Sequence, residues 1–162
     1  VTDLTALVLK LQESWAADDQ PRATLEAAGE AFAAAVGWRL YTVTQSLSGG
    51  REVERLYSSD ETAYPVGGRK PVLDNAYTAQ VRGARQPFLA ATPAGFAPLF
   101  PDHAKITAMG LGAVINLPVV WAGRTLGTIN LLDREGAYSP EHLPAAMTIA
   151  RQLIPVFLSR PA

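Results

Sequence analysis

The segment VINLPVVWAGRTLGTINLL, residues 114–132, constrains the fold more than any other part of the chain. Two β-branched, apolar runs meet at Ala122-Gly123, which is the chemistry of a tight hairpin. The turn decides which side chains share a face, because a one-residue slip in register carries every side chain to the other side of the sheet. A two-residue turn at Ala122-Gly123 with regular pairing sets Asn116 opposite Ile129 and mixes polar with apolar residues on both faces. A three-residue turn over Trp121-Ala122-Gly123, with Gly123 left-handed, pairs Val120 with Arg124 and Asn116 with Thr128, and the faces separate. The second arrangement is therefore expected. One face then carries Ile115, Leu117, Val119, Thr125, Gly127, Ile129 and Leu131, suited to packing under helices. The other carries Val114, Asn116, Pro118, Val120, Leu126, Thr128, Asn130 and Leu132, an apolar wall with three hydrogen-bonding groups near its middle. Small-molecule pockets are built this way. The competing reading is that these polar side chains satisfy neighbouring loop backbone.

The rest of the chain supplies what such a hairpin must pack against. Leu4, Leu7, Val8, Leu11 and Trp15 recur at helical spacing, with Thr2 or Asp3 placed as the cap. Pro21 suits a first helical position, and Leu25, Ala28, Phe32, Ala35 and Val36 continue a second helix until Gly37 ends it. WRLYTVTQ and EVERLYSS flank SLSGGR and predict a first hairpin over 38–59. Residues 61–112 differ in kind: six prolines and many glycines interrupt a short helix at AYTAQVRGA, a short strand at PFLA and a helix over 102–109 capped by Asp102. A partly irregular segment of this length inside one domain is expected to cover a functional surface. The second hairpin (113–132) leads to a closing helix over 139–159, capped by Ser139, with Pro144 and Pro155 each expected to bend it or end it early.

At 162 residues and 48% hydrophobic, the chain is long enough for one buried core and too short for two ordinary domains. A net charge of −1 supplies no overall field toward nucleic acid or an anionic membrane, so neither is expected as a partner. The absence of cysteine excludes thiolate catalysis, disulfides and cysteine-rich metal centres. No apolar run approaches a bilayer span, and the N-terminal segment carries acids where a signal peptide carries basic residues. A cytoplasmic protein is expected.

Two helices, a hairpin, a long irregular crossover, a second hairpin and a closing helix form the element order of a GAF domain. The residues resemble that family in RLYTV, in VERLYSSDETAYPVGGRKPV, in PFLAATPAGFAPLFPDHAKI and above all in GLGAVINLPVVWAGRTLGTINLLDREGAYSPE. The resemblance implies an α+β fold of the profilin/PAS-like kind: an antiparallel β-sheet with the N- and C-terminal helices on one face and a ligand pocket with an irregular cover on the other. It also implies a small-molecule-sensing or regulatory domain, with a homodimer through the first helix expected because such helices often pair. The alternative is a dimerisation module whose pocket is vestigial. Family members bind cyclic nucleotides, bilins, haem, amino acids or other molecules, and the departures here narrow that range. No cysteine is present for a bilin thioether or for methionine sulfoxide reductase chemistry, and no Asn-Lys pair begins a cyclic-nucleotide phosphodiesterase signature. No cofactor and no enzymatic activity are expected.

The ligand-binding candidates are Asn116, Thr128, Asn130, Arg69, Tyr57, Phe88, Phe96 and Phe100. Residues 62–112 carry five cations against two acids and are net positive, while the remainder of the chain is net negative. That asymmetry suits a polar or anionic ligand, with Arg69 as its counter-charge; the alternative, and the commoner case, is surface cations that pair only with solvent. Tyr57 offers a hydroxyl from the second strand, and the three phenylalanines are either lid contacts or the core of the cover itself. His103 and His142, the only imidazoles, have no ligand spacing, so haem or metal is not expected.

Overall fold

The computed structural model describes residues 2–160; of the single domain expected over 1–162, Val1, Pro161 and Ala162 lie outside the described residues. Asp3 accepts from the backbone N–H groups of Thr5 and Ala6 and starts α1 (Leu4–Glu13). A 3₁₀ turn leads to α2 (Arg22–Ala35), which ends where Gly37 takes a φ of +78° and donates to the Phe32 carbonyl. Next come β1 (Leu40–Leu47) and β2 (Glu52–Ser58). The crossover contains β3 (Arg69–Pro71), α3 (Ala76–Thr78) running into a π-helical turn over Ala79–Gly83, β4 (Phe88–Ala90), α4 (Pro93–Phe96) and α5 (His103–Ala108). The second hairpin is β5 (Ala113–Trp121) and β6 (Arg124–Asp133); α6 (Leu143–Arg151) and α7 (Ile154–Leu158) close the chain. The closing helix is therefore two helices. It breaks at Gln152–Leu153, just before Pro155, whose ring cannot follow a continuous turn.

The six strands form one sheet in the order β3-β2-β1-β6-β5-β4, with every neighbouring pair antiparallel. Leu11, Leu25, Phe32, Ile149, Leu153 and Phe157 of the terminal helices pack on one face against Tyr41, Val43, Ile115, Leu117, Ile129 and Leu131. A second, smaller core lies on the other face, where Val81, Phe88, Phe96, Ile106 and Leu111 of the crossover meet Leu40, Val114 and Leu132. Of the expected stripe, Leu11 is fully buried and Leu4 and Leu7 pack against the first core, while Trp15 falls in the 3₁₀ turn beyond α1 and is exposed.

The turn of the second hairpin corrects the expectation. Trp121 pairs with Arg124, so the turn has two residues, and Ala122 and Gly123 both have positive φ, the combination that matches strand twist in a tight hairpin. The additional residue lies in the strand instead. Val119 pairs with Gly127 and Val120 with Thr125, leaving Leu126 as a β-bulge. A residue added to either strand changes the alternation in the same way, so the face assignment holds from Gly127 onward while the partners move: Asn116 faces Asn130 and Pro118 faces Thr128. Between turn and bulge the assignment reverses. Leu126 packs with the helix-side core, and Thr125 donates to the Arg82 carbonyl in the cover.

A second bulge shapes the first hairpin. Val43 pairs with Tyr57 and Thr44 with Arg55, which leaves Leu56 unmatched. Tyr57 accordingly packs against Tyr41 beneath the helices, with ring centroids 5.0 Å apart and the planes tilted by 42°, while Arg55, two residues away, reaches the opposite face. Regular alternation would have put both on one side.

Candidate functional site

Between the sheet and the crossover lies a cavity of about 590 Å³. Its floor takes Thr42 and Thr44 from β1, Thr128, Asn130 and Leu132 from β6, and Val114 and Asn116 from β5. The polar groups of this floor bond mainly to one another. Thr44 and Thr128 share a hydrogen bond of 2.6 Å between their hydroxyls, the Asn116 amide donates to Asn130 Oδ1 at 2.7 Å, and Asn130 Nδ2 donates to Thr42 Oγ1 at 3.1 Å. None of these bonds reaches the cover's backbone. The cover's backbone is met elsewhere, by Thr125 at the Arg82 carbonyl and, from within the cover, by Asn75, which caps the single turn of α3 and donates to the Leu99 carbonyl. Asn116 Oδ1, on a side chain only 5% exposed, has no hydrogen-bond partner.

The roof and rim hold the charge. Arg55, Lys70, Arg82 and Lys105 line the cavity against one carboxylate, Asp102. Asp102 was expected to cap α5, but its side chain makes no cap bond and instead accepts from the Tyr64 hydroxyl at 2.8 Å. This bond ties the connection after β2 to the start of α5 beside the cavity. The Tyr64 ring is flanked by Arg55, 5.0 Å from its centroid, and by Lys105 at 4.2 Å, whose ammonium also donates to the Ala63 carbonyl. Burial, followed by the bond to Asp102, pushes the Tyr64 phenol well above its usual range. Burial lowers the guanidinium pKa values of Arg55 and Arg82.

Asn116, Thr128, Asn130 and Phe100 line this cavity, and four of the eight candidates do not. Tyr57 lies under the helices for the reason given by its bulge. Arg69 is exposed on edge strand β3, 3.6 Å from the Glu54 carboxylate, and borders only a minor cleft beside Arg55 and Lys70. Phe96 is fully buried and Phe88 nearly so in the core of the cover, with Phe88 5.4 Å from Tyr77 and Phe96 5.7 Å from Phe100. Of the expected pocket wall, Pro118 and Val120 also lie outside it. His142 completes a capping box with Ser139, and His103 opens α5 on the surface. Among the described residues no three His, Asp or Glu side chains gather as a metal site.

Sequence reasoning missed Thr42, Thr44, Arg55 and Tyr77, and counted Arg82 only among the cations of the crossover while choosing Arg69. Alternation in RLYTVT was available to find the threonines, since Tyr41 and Val43 are the apolar partners of a two-faced strand. Arg55 carried no such signal, because a bulge is invisible to alternation.

Residues 18–154 match the family model of the GAF domain. The chain belongs to the GAF domain family. Solved structures agree on the fold. The GAF domain of a phosphoenolpyruvate-protein phosphotransferase from Coxiella burnetii matches with a TM-score of 0.72 at 16% identity, covering 96% of this chain and 93% of that one. The phycocyanobilin-bound GAF domain of a cyanobacterial phytochrome matches with a TM-score of 0.72 at 12% identity, over 98% and 96% of the two chains. A GAF domain/HD domain protein from Geobacter sulfurreducens matches with a TM-score of 0.68 at 14% identity, over 98% and 97%. No curated protein sequence matches significantly. GAF domains are in general ligand-binding sensory or regulatory domains, and no helix among the described residues of this one is long and apolar enough to cross a membrane.

Proposed function

We propose that this GAF domain is a sensory or regulatory module that binds a polar or anionic small molecule between its sheet and its crossover, and that it is not an enzyme. The observation that carries this reading is the cavity itself: about 590 Å³, with a polar floor enclosed by apolar walls and four cations against one carboxylate at its edges. A space of this size also speaks against the vestigial pocket filled by its own side chains. The reading without catalysis rests on the same residues, since no imidazole lines the cavity and its one carboxylate is engaged by Tyr64. The cyanobacterial phytochrome domain that shares this fold holds phycocyanobilin, but this chain has no cysteine through which to attach a bilin.

Native mass spectrometry of the gently purified protein tests the proposal. A small-molecule adduct that disappears on denaturation, and that is lost in Asn116→Leu, is the expected result. A ligand-free mass together with no thermal stabilisation by a broad metabolite library would overturn it.

A further inference from the structure

Three buried polar atoms on side chains that line the cavity lack a hydrogen-bond partner. Asn116 Oδ1 is an acceptor without a donor, and Arg55 Nε and Arg82 Nη1 are donors without an acceptor. The Arg55 guanidinium is otherwise occupied within the cover, lying over the Tyr64 ring and donating to the Pro65 carbonyl. Asn116 and Arg82 are both firmly held. Asn116 is held by its bond to Asn130. Arg82 is fixed twice, through Nη2 donating to Ser46 at 2.8 Å and through its carbonyl accepting from Thr125, the residue that the β6 bulge turns toward the cover. No carboxylate among the described residues lies within ion-pair distance of Arg82. A half-buried guanidinium without a counter-ion is costly, and an anion that entered the cavity would remove that cost.

We infer that Arg82 anchors the anionic group of the ligand while Asn116 Oδ1 accepts from an N–H or O–H on the same molecule. The body between these points lies against Tyr77, Phe100, Leu40, Val114 and Leu132, which are apolar or aromatic. The class this defines is a compact organic anion, carboxylate or phosphate, with a flat or apolar body and one hydrogen-bond donor. The assignment rests on the proposed function and narrows it. Burial lowers the Arg82 pKa, as expected of a cation kept from water until its partner arrives.

Calorimetric titration with 4-hydroxybenzoate, benzoate, phenyl phosphate and the neutral isostere benzamide tests the inference. Binding of the anions well above that of benzamide is expected, with 4-hydroxybenzoate above benzoate and the benzoate–phenyl phosphate pair deciding between carboxylate and phosphate. Arg82→Gln should weaken anion binding by roughly 10- to 100-fold. Arg85→Gln, which changes an exposed cation bonded to the Gly123 carbonyl, should leave it unchanged. Asn116→Leu should abolish the advantage of 4-hydroxybenzoate over benzoate. If Arg82→Gln does not fold, Arg82→Lys decides, because it keeps the charge but not the planar fork; it should weaken benzoate severalfold and leave benzamide as it was. Benzamide binding as well as benzoate, or benzoate binding unchanged by loss of Arg82, would overturn the inference and leave the sensory reading standing. Failure of all four probes would overturn the inference as well, and the adduct measurement above would then judge the sensory reading alone.

Discussion

Asn116 and Asn130 face each other across β5 and β6, yet their environments are not equivalent. Asn130 both accepts from Asn116 and donates to Thr42, so it is the link that joins three strands across the cavity floor. Asn116 makes one bond and leaves its oxygen unpaired. Loss of Asn130 strands two buried partners, whereas loss of Asn116 removes a dissatisfied atom along with one bond. Asn130→Leu should therefore lower the stability of the ligand-free protein by about 1 to 3 kcal/mol, and Asn116→Leu by clearly less. Urea unfolding of the two variants checks the order. A smaller loss for Asn130→Leu would mean that the chain of bonds does not stabilise the floor.

Elements dock here through small residues as much as through large ones. Gly127 lies on the helix-facing side of β6, where an added Cβ would stand 2.2 Å from the Thr44 carbonyl oxygen and 2.4 Å from the Phe157 ring. The bare backbone at this position lets α7 lie directly on the sheet. Phe157 is only 4% exposed as a result. The obstruction on one side is backbone of the neighbouring strand, which cannot rotate away, so Gly127→Ala should cost at least about 2 kcal/mol. The measurement is again urea unfolding, with hydrogen exchange expected to rise first in α7. Protection that remained as in the parent would mean the docking of α7 does not depend on Gly127.

At the scale of the molecule, all five tyrosines have phenols raised above the ordinary value, with burial the leading cause in each. A raised phenol favours the neutral form in the folded state. Its stabilisation is complete below the unfolded pKa of about 10 and is lost as the pH climbs above that value, because the unfolded chain ionises first. The urea midpoint should hold between pH 7 and pH 9 and fall steeply by about pH 11. Tyr77→Phe should blunt the fall if the tyrosines cause it, and an unchanged slope would assign the effect elsewhere. Association is the other property at this scale. We propose a homodimer through the first helix, now resting on Leu9 and Trp15, which are 57% and 41% exposed, since Leu11 is fully engaged within the chain. Sedimentation should show a dimer that Leu9→Lys dissociates; a monomer at micromolar concentration would refute it.

Periodicity, caps and turn residues were enough to place α1, α2, both hairpins and the closing helices, because each depends on contacts within a few residues of sequence. Alternation likewise assigned Asn116, Thr128 and Asn130 to one face. It did so through the wrong turn: the sequence requires an odd residue somewhere between Val119 and Gly127 for the faces to separate, but only packing decides whether that residue widens the turn or bulges the strand. Leu126 bulges with its side chain partly buried against the helix-side core while Thr125 holds the cover. The bulge at Leu56 decides in the same way that Tyr57 joins the helix-side core and Arg55 the cavity. The charges of the site, Arg55, Arg82, Lys70 and Lys105, come from β2, the π-turn, β3 and α5; the net-positive crossover holds the last three, but no local pattern separates them from Arg69 and Arg85 or adds Arg55. Sequence alone therefore determined a two-faced sheet with a polar patch, since those properties are local, whereas the tertiary structure decided which cations surround that patch, since bulges and long crossovers are settled by contacts far apart in the chain.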